Sequence, residues 1–158
     1  MNTLVLCTGN SARSILLEAI LGSDSEGRVR AFSAGSQPSG RVHPQSVKLL
    51  ETLGYDIGHA RSKSWDEFAA DDAPIMDMVI TVCGSAAEET CPMWPGAPVR
   101  AHWGVEDPAA ADEPDWEEAF QTAYDTLKKR ADALLAMPIE TMELRELQAQ
   151  LNRIGKIT

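Results

Sequence analysis

Thr3-Leu4-Val5-Leu6-Cys7-Thr8-Gly9-Asn10-Ser11-Ala12-Arg13-Ser14-Ile15-Leu16-Leu17 sets one cysteine between an apolar run and a run of helix formers. Residues 4–6 read as a short buried strand, and residues 14–21 as the first turns of a helix. A strand, a tight loop and a helix start gather backbone N–H groups around one point, where the helix dipole also favours negative charge. Such a cradle suits a tetrahedral oxyanion, held by the backbone of Thr8, Gly9, Asn10, Ser11, Ala12, Arg13 and Ser14 and by the planar guanidinium of Arg13. It suits a thiolate equally well. The same field should lower the Cys7 thiol from its usual value of about 8.5 towards the ~3.5–7.5 range of activated cysteines. A cysteine that merely fills a core has no need of the glycine, asparagine, serine and arginine that follow this one.

Outward from this stretch, apolar runs alternate with helical patterns. Residues 29–34 read as a second strand closed by Gly35, and Pro44 opens a helix that Gly54 stops. Residues 78–82 form a β-branched run ending at Cys83, and a short strand fits 99–102. Trp116, Phe120, Tyr124, Leu127, Ala131 and Leu134 recur at helical spacing, which predicts a long amphipathic helix over 115–137. This alternation implies an α/β fold, a parallel sheet covered on both faces. Ligands of such sheets sit beyond the C-terminal strand ends, where Cys7 and Cys83 both lie. Residues 83–98 hold two glycines and three prolines and read as a surface loop. Leu144, Leu147, Leu151 and Ile154 make one stripe of a C-terminal helical extension (138–158), expected to dock on its own domain.

The chain of 158 residues is long enough to bury one core, so 1–158 is read as a single domain. It has no apolar run of membrane-spanning length and no signal-peptide pattern, so a cytoplasmic location is expected, without membrane partners. A net charge of −10 argues against nucleic acid as a partner. Three cysteines are an odd number, which argues against a disulfide framework. Cys83, Cys91 and His102 match no zinc spacing. No metal or organic cofactor is expected.

His102-Trp103-Gly104-Val105-Glu106-Asp107-Pro108 is the second constellation. A thiolate that displaces an oxygen from an oxyanion needs an acid to protonate the leaving oxygen. Asp107, held by the following proline, can supply that proton if its affinity for it is raised. The neighbouring acids, from Glu106 to Glu118, push in that direction. A solvated acidic loop before a helix accounts for the same composition.

Cys7–Ser14 resembles the phosphate-binding loop of low-molecular-weight protein tyrosine phosphatases and of the arsenate reductases built on that fold. Phe32-Ser33-Ala34-Gly35, Thr81-Val82-Cys83-Gly84, Cys91-Pro92 and His102-Trp103-Gly104 with Asp107-Pro108 are similar to the arsenate reductase branch, in the same order. The resemblance runs from Leu4 to about Met137. It implies a three-layer sandwich, with a four-stranded parallel sheet flanked by helices, and it implies that Asp107 is the acid. Phosphatases of this fold need only the loop cysteine, whereas the reductases use a triad matched by Cys7, Cys83 and Cys91. Relatives that bind potassium do so through residues including the equivalents of Asn10, Glu18 and Ser33. Lys63 falls near an aspartate ligand of theirs, so no potassium site is expected.

The resemblance implies arsenate as substrate, with phosphate or sulfate as analogues, and a thioredoxin-like reductant as partner. Cys7 attacks arsenic, Cys83 attacks Cys7, and Cys91 then takes Cys83 into a second disulfide. Cys91 lies eight positions after Cys83. A helix would separate their Cα atoms by ~12 Å, while a disulfide tolerates about 4.4–6.8 Å. The intervening segment is therefore expected to rearrange on oxidation. Two rivals stand beside this reading. One is a tyrosine or small-molecule phosphatase using Cys7, Arg13 and Asp107, and the other is a non-catalytic oxyanion binder that senses redox state.

Overall fold

In a computed structural model that describes residues 1–83, 94 and 98–158, four strands form one parallel sheet. They are β1 (Asn2–Cys7), β2 (Arg30–Gly35), β3 (Met78–Thr81) and β4 (Val99–His102), in the order β2-β1-β3-β4. All four match runs read as strands. Side chains alternate across a strand, and β1 divides the interior accordingly. Val5 and Cys7 enter one core with α1 (Arg13–Asp24), α2 (Pro44–Thr52), α3 (Trp116–Leu135) and α4 (Leu144–Ile154). Leu4 and Leu6 enter a second core with Ala34, Phe68, Met76, Val79 and Trp94. A 3-10 turn, Trp65–Phe68, contributes Phe68 to that second face. Burying one large aliphatic side chain is worth ~1.5–3 kcal/mol, and β1 buries Leu4, Val5 and Leu6 completely. The strand that carries Cys7 is the most firmly seated in the sheet.

The termini of α2 follow their sequence signals. His43 caps the helix by accepting the Gln45 N–H at Nδ1 (3.0 Å), Pro44 starts it, and Gly54 leaves it at φ +88°. Helix α1 runs a turn beyond the expected 14–21, to Asp24. At the other end of the chain, α4 covers β4, the edge strand. Its Leu147, Leu151 and Ile154 are buried, whereas Leu144, the first of the stripe, is exposed. The Gln148 side chain accepts from the Arg100 N–H and donates to the Arg100 carbonyl, which closes part of the free strand edge. Among the described residues, no helix is long and apolar enough to cross a membrane.

This topology decides where the chemistry collects. Leu6 of β1 pairs with Thr81 of β3, and the Val82 N–H donates to the Leu6 carbonyl (2.9 Å). Cys7 and Cys83 thus leave neighbouring strands at the same edge.

Candidate active site

The loop after β1 is shaped from outside. Three of its carbonyls are taken by three other segments. Thr8 O accepts from Gln37 N–H (3.0 Å), and Gly9 O from Ser39 N–H (3.0 Å) and Ser62 Oγ (3.1 Å). Ser11 O accepts from His43 N–H (3.0 Å) and Ser46 Oγ (3.0 Å). With these carbonyls taken, the peptide N–H groups are left to the concave side and to the open N-terminus of α1, which has no side-chain cap. Asn10 sits at φ +46°, a left-handed conformation uncommon outside glycine, and is fully buried. Its amide donates to Ser14 Oγ (2.8 Å) and Ser33 Oγ (3.0 Å) and accepts from the Lys63 N–H (2.9 Å). Gly35 at the end of β2 is pressed against the loop. A Cβ there would collide with the Thr8 carbonyl oxygen and lie 3.0 Å from the Cys7 carbonyl oxygen.

Arg13 opens α1 and reaches across to the second constellation. Its Nη1 donates to the Val105 carbonyl (3.0 Å), and its Nη2 lies 3.6 Å from Asp107 Oδ2. Among the described residues the buried Nε of Arg13 finds no hydrogen-bond partner, an unmet donor of the kind an oxyanion would satisfy. Asp107 Oδ1 accepts the Ala109 N–H (3.0 Å), so Asp107 caps the short turn Pro108–Ala110. The base of this acidic loop is anchored by Arg130, which is buried and donates to the carbonyls of Trp103 (2.8 Å) and Gly104 (3.2 Å). The two constellations seen in the sequence therefore meet, through Arg13.

Cys83 lies against the same loop. Its Sγ is 3.5 Å from Thr8 Oγ1, and its thiol is near enough to that of Cys7 to raise its pKa. One expectation is corrected here. The neighbouring Cys83 thiol and burial push the Cys7 thiol above its ordinary value, and Arg13 and the Gly9 N–H, which pull it down, do not outweigh them. The loop field acts as expected, but the neighbouring thiol was not weighed against it. Cys91 and the segment expected to rearrange fall outside the described residues.

Residues that the sequence reading did not assign to the site also shape it. Ser46, Ser62 and Gln37 clamp the loop carbonyls, and they carried no signal because isolated polar residues in connections are common. Gly35 was read as a strand stop and as part of a family motif but given no place in the site, although its position at the end of a buried strand beside a second strand end could have marked a close approach. Lys63 Nζ lies 3.4 Å from Ser33 Oγ, 3.9 Å from Glu18 Oε2 and 2.9 Å from the Arg61 carbonyl. These residues do not fit a potassium ion, because the ammonium already lies among the oxygens such an ion would use.

The family model for low molecular weight phosphotyrosine protein phosphatase matches residues 2–152. The chain belongs to that family. Within the family, the arsenate reductase of Halalkalibacterium halodurans is 37% identical over 131 residues, 79% of this chain and 88% of that one. A solved arsenate reductase in a phosphate-binding state superposes with a TM-score of 0.71 at 30% identity, covering 85% of this chain and 96% of the other. The thioredoxin-dependent arsenate reductase of Corynebacterium glutamicum has a TM-score of 0.57 at 25% identity, over 80% of this chain and 58% of its own. The family fold, a four-stranded parallel sheet flanked by helices, is thus the one the sequence resemblance implied.

Proposed function

We propose that this protein reduces arsenate to arsenite by a cysteine relay that begins at Cys7. The observation that carries the reading is the second thiol. Cys83 follows the strand beside that of Cys7 and lies against the oxyanion loop, its Sγ 3.5 Å from Thr8 Oγ1, where a phosphatase needs no further sulfur. The arsenate reductase names of the relatives support the same choice.

Arsenate docks on the loop N–H groups of residues 8–14 and on the Arg13 guanidinium. Two interacting thiols lose their protons in two steps. Attack needs only the first, with Cys83 keeping its proton. The proton lost by Cys7 passes through the bound arsenate or water to Asp107, and the Cys7 thiolate forms a bond to arsenic. The arsenic–oxygen bond breaks as the oxygen takes that proton from Asp107, turned from Arg13, and departs as water. Cys83 then attacks the Cys7 sulfur. The sulfur–sulfur bond forms, the sulfur–arsenic bond breaks, its electron pair reduces As(V) to As(III), and the Cys83 proton passes to an arsenite oxygen. Two thiols are oxidised and arsenite leaves. Cys91 attacks Cys83 and frees Cys7, giving a Cys83–Cys91 disulfide that a thioredoxin-like dithiol reduces by exchange. The thioredoxin dependence of the Corynebacterium glutamicum enzyme supports that partner.

The test is arsenite production with thioredoxin, thioredoxin reductase and NADPH, followed as arsenate-dependent NADPH oxidation. Turnover that needs both arsenate and thioredoxin is expected. Release of phosphate from an aryl phosphate without any arsenite formation would favour the phosphatase reading instead.

A further inference from the structure

Against the buried Asn10 of the oxyanion loop lies a charged cluster that the relay does not use. Lys63 and Glu18 are both buried, with side chains 8% and 6% exposed, and their charged atoms are 3.9 Å apart. An ion pair taken out of water gains little net stability, because desolvation of both charges offsets their attraction. Burial draws the Lys63 ammonium below its ordinary value, and the Glu18 carboxylate opposes that pull. A cluster of this kind in a small α/β protein calls for a reason other than stability.

Its contacts supply one. Two of the three hydrogen bonds described for the Asn10 side chain end on Lys63 or on Ser33, a hydroxyl that Lys63 also meets. Lys63 N–H donates to Asn10 Oδ1 (2.9 Å), and Lys63 Nζ donates to Ser33 Oγ (3.4 Å), the same oxygen that accepts from Asn10 Nδ2 (3.0 Å). The other Asn10 partner, Ser14, stands one helical turn before Glu18 on α1. Lys63 O accepts the Gly35 N–H (2.9 Å), and Lys63 Nζ turns back to the Arg61 carbonyl (2.9 Å). The neighbouring Ser62 hydroxyl holds the Gly9 carbonyl. The left-handed turn at Asn10 is thus tied to Lys63 twice, directly by the Lys63 backbone N–H and through the Ser33 hydroxyl that the ammonium also meets.

We propose that the Lys63 ammonium is a built-in cation for the oxyanion loop, a positioning residue that holds Asn10 and Ser33 against Glu18. It takes the place of a dissociable monovalent cation. The proposal rests on the loop binding a tetrahedral oxyanion, but not on arsenate being the physiological one.

The experiment measures sulfate affinity by calorimetry in potassium chloride and in choline chloride at equal ionic strength. The wild-type protein should bind sulfate equally in both salts. Lys63→Met keeps the volume without the charge and should lose up to ~10²-fold in affinity, the scale of a misplacement of about 1 Å. Lys63→Ala opens a space lined by the Glu18 carboxylate, the Ser33 hydroxyl and the Arg61 carbonyl, so its affinity should be restored by potassium or methylammonium chloride and not by choline chloride. A residue that served only packing would show no such cation-specific rescue. Wild-type affinity in Lys63→Met, or a Lys63→Ala defect blind to the cation, would overturn the proposal. If the variants do not fold, a wild-type affinity that rises several-fold in potassium chloride overturns it, and equal affinity supports it. Absence of sulfate binding by the wild-type protein in either salt would instead remove the oxyanion reading on which the proposal stands.

Discussion

The loop of residues 8–14 and the acidic loop of 103–108 face each other across Arg13, and they are built in opposite ways. The first is clamped along its length. Backbone and hydroxyl donors from 37–46 and 62 hold its carbonyls, and Asn10 is buried beneath it. The second is held mainly at its base, by Arg130 on Trp103 and Gly104, by the Trp103 and Val105 N–H groups on the Thr81 and Val82 carbonyls and by Arg13 on Val105, while the Asp107 side chain is 44% exposed. The difference matches the tasks proposed for them. A binding cradle gains from being preorganised, since its donors then need no rearrangement as charge develops. A proton donor must follow a leaving oxygen, so freedom at its tip is useful. In the proposed mechanism the clamped loop holds the anion and the acidic loop moves the proton.

The largest effect that would break this division is at Cys83. Cys83→Ser should abolish arsenate turnover and leave sulfate binding intact, because the clamped loop does not depend on the second sulfur. Any aryl phosphate hydrolysis should survive, whereas Cys7→Ser should eliminate both activities. Equal loss of hydrolysis and reduction in a folded Cys83→Ser protein would contradict separate roles for the two thiols.

Next in size is Asp107→Asn, which removes the proton and keeps the shape of the acidic loop. Single-turnover arsenate reduction should slow by ~10²–10⁴, as for other general acids, and sulfate affinity should hold or rise slightly. An unchanged rate would take Asp107 out of the mechanism.

Two glycines sharpen the contrast in stability. In Gly35→Ala the new methyl meets backbone of the clamped loop, which cannot yield without moving Thr8, so a loss of ~1–3 kcal/mol is expected. In Gly104→Ala the methyl meets the His102 imidazole at 2.6 Å. His102 is exposed and can swing aside, so the cost should stay nearer the ~0.5 kcal/mol of ordinary surface changes. Chemical denaturation of the two variants checks the order, and sulfate affinity should fall only in the first.

The smallest effect concerns the proton of Cys7. The neighbouring Cys83 thiol is the largest of the upward pushes on it. Cys83→Ala should therefore lower the pH midpoint of Cys7 alkylation by iodoacetamide, leaving Arg13 and the Gly9 N–H to act against burial alone. A midpoint that stays or rises would mean that the thiol pair is not what holds the proton.

Much of this was legible in the sequence because local chemistry dictated it. β1 is apolar on both faces, so its burial in a covered sheet followed from Leu4, Val5 and Leu6, and Cys7 at its end followed with it. Asp107 was readable only through the family resemblance, since composition alone makes it one acid among many. The clamps were not legible. Ser46 and Ser62 lie 35 and 53 residues from the carbonyls they hold, and nothing local distinguishes them from other loop serines. The upward push on Cys7 was missed for a similar reason. The contact with Cys83 depends on the β1–β3 register, which becomes visible only when Leu6 and Thr81 are seen to pair.

The central claim is that Cys7 and Cys83 together supply the two electrons that reduce arsenic. Cys91→Ser isolates that step, because the relay should stop at its first disulfide. Treating the reduced Cys91→Ser protein with excess arsenate and no external reductant should yield one arsenite per protein, with a Cys7–Cys83 disulfide identified by peptide mass spectrometry. Arsenite formation without that disulfide, or a protein that stays fully reduced while binding arsenate, would contradict the account.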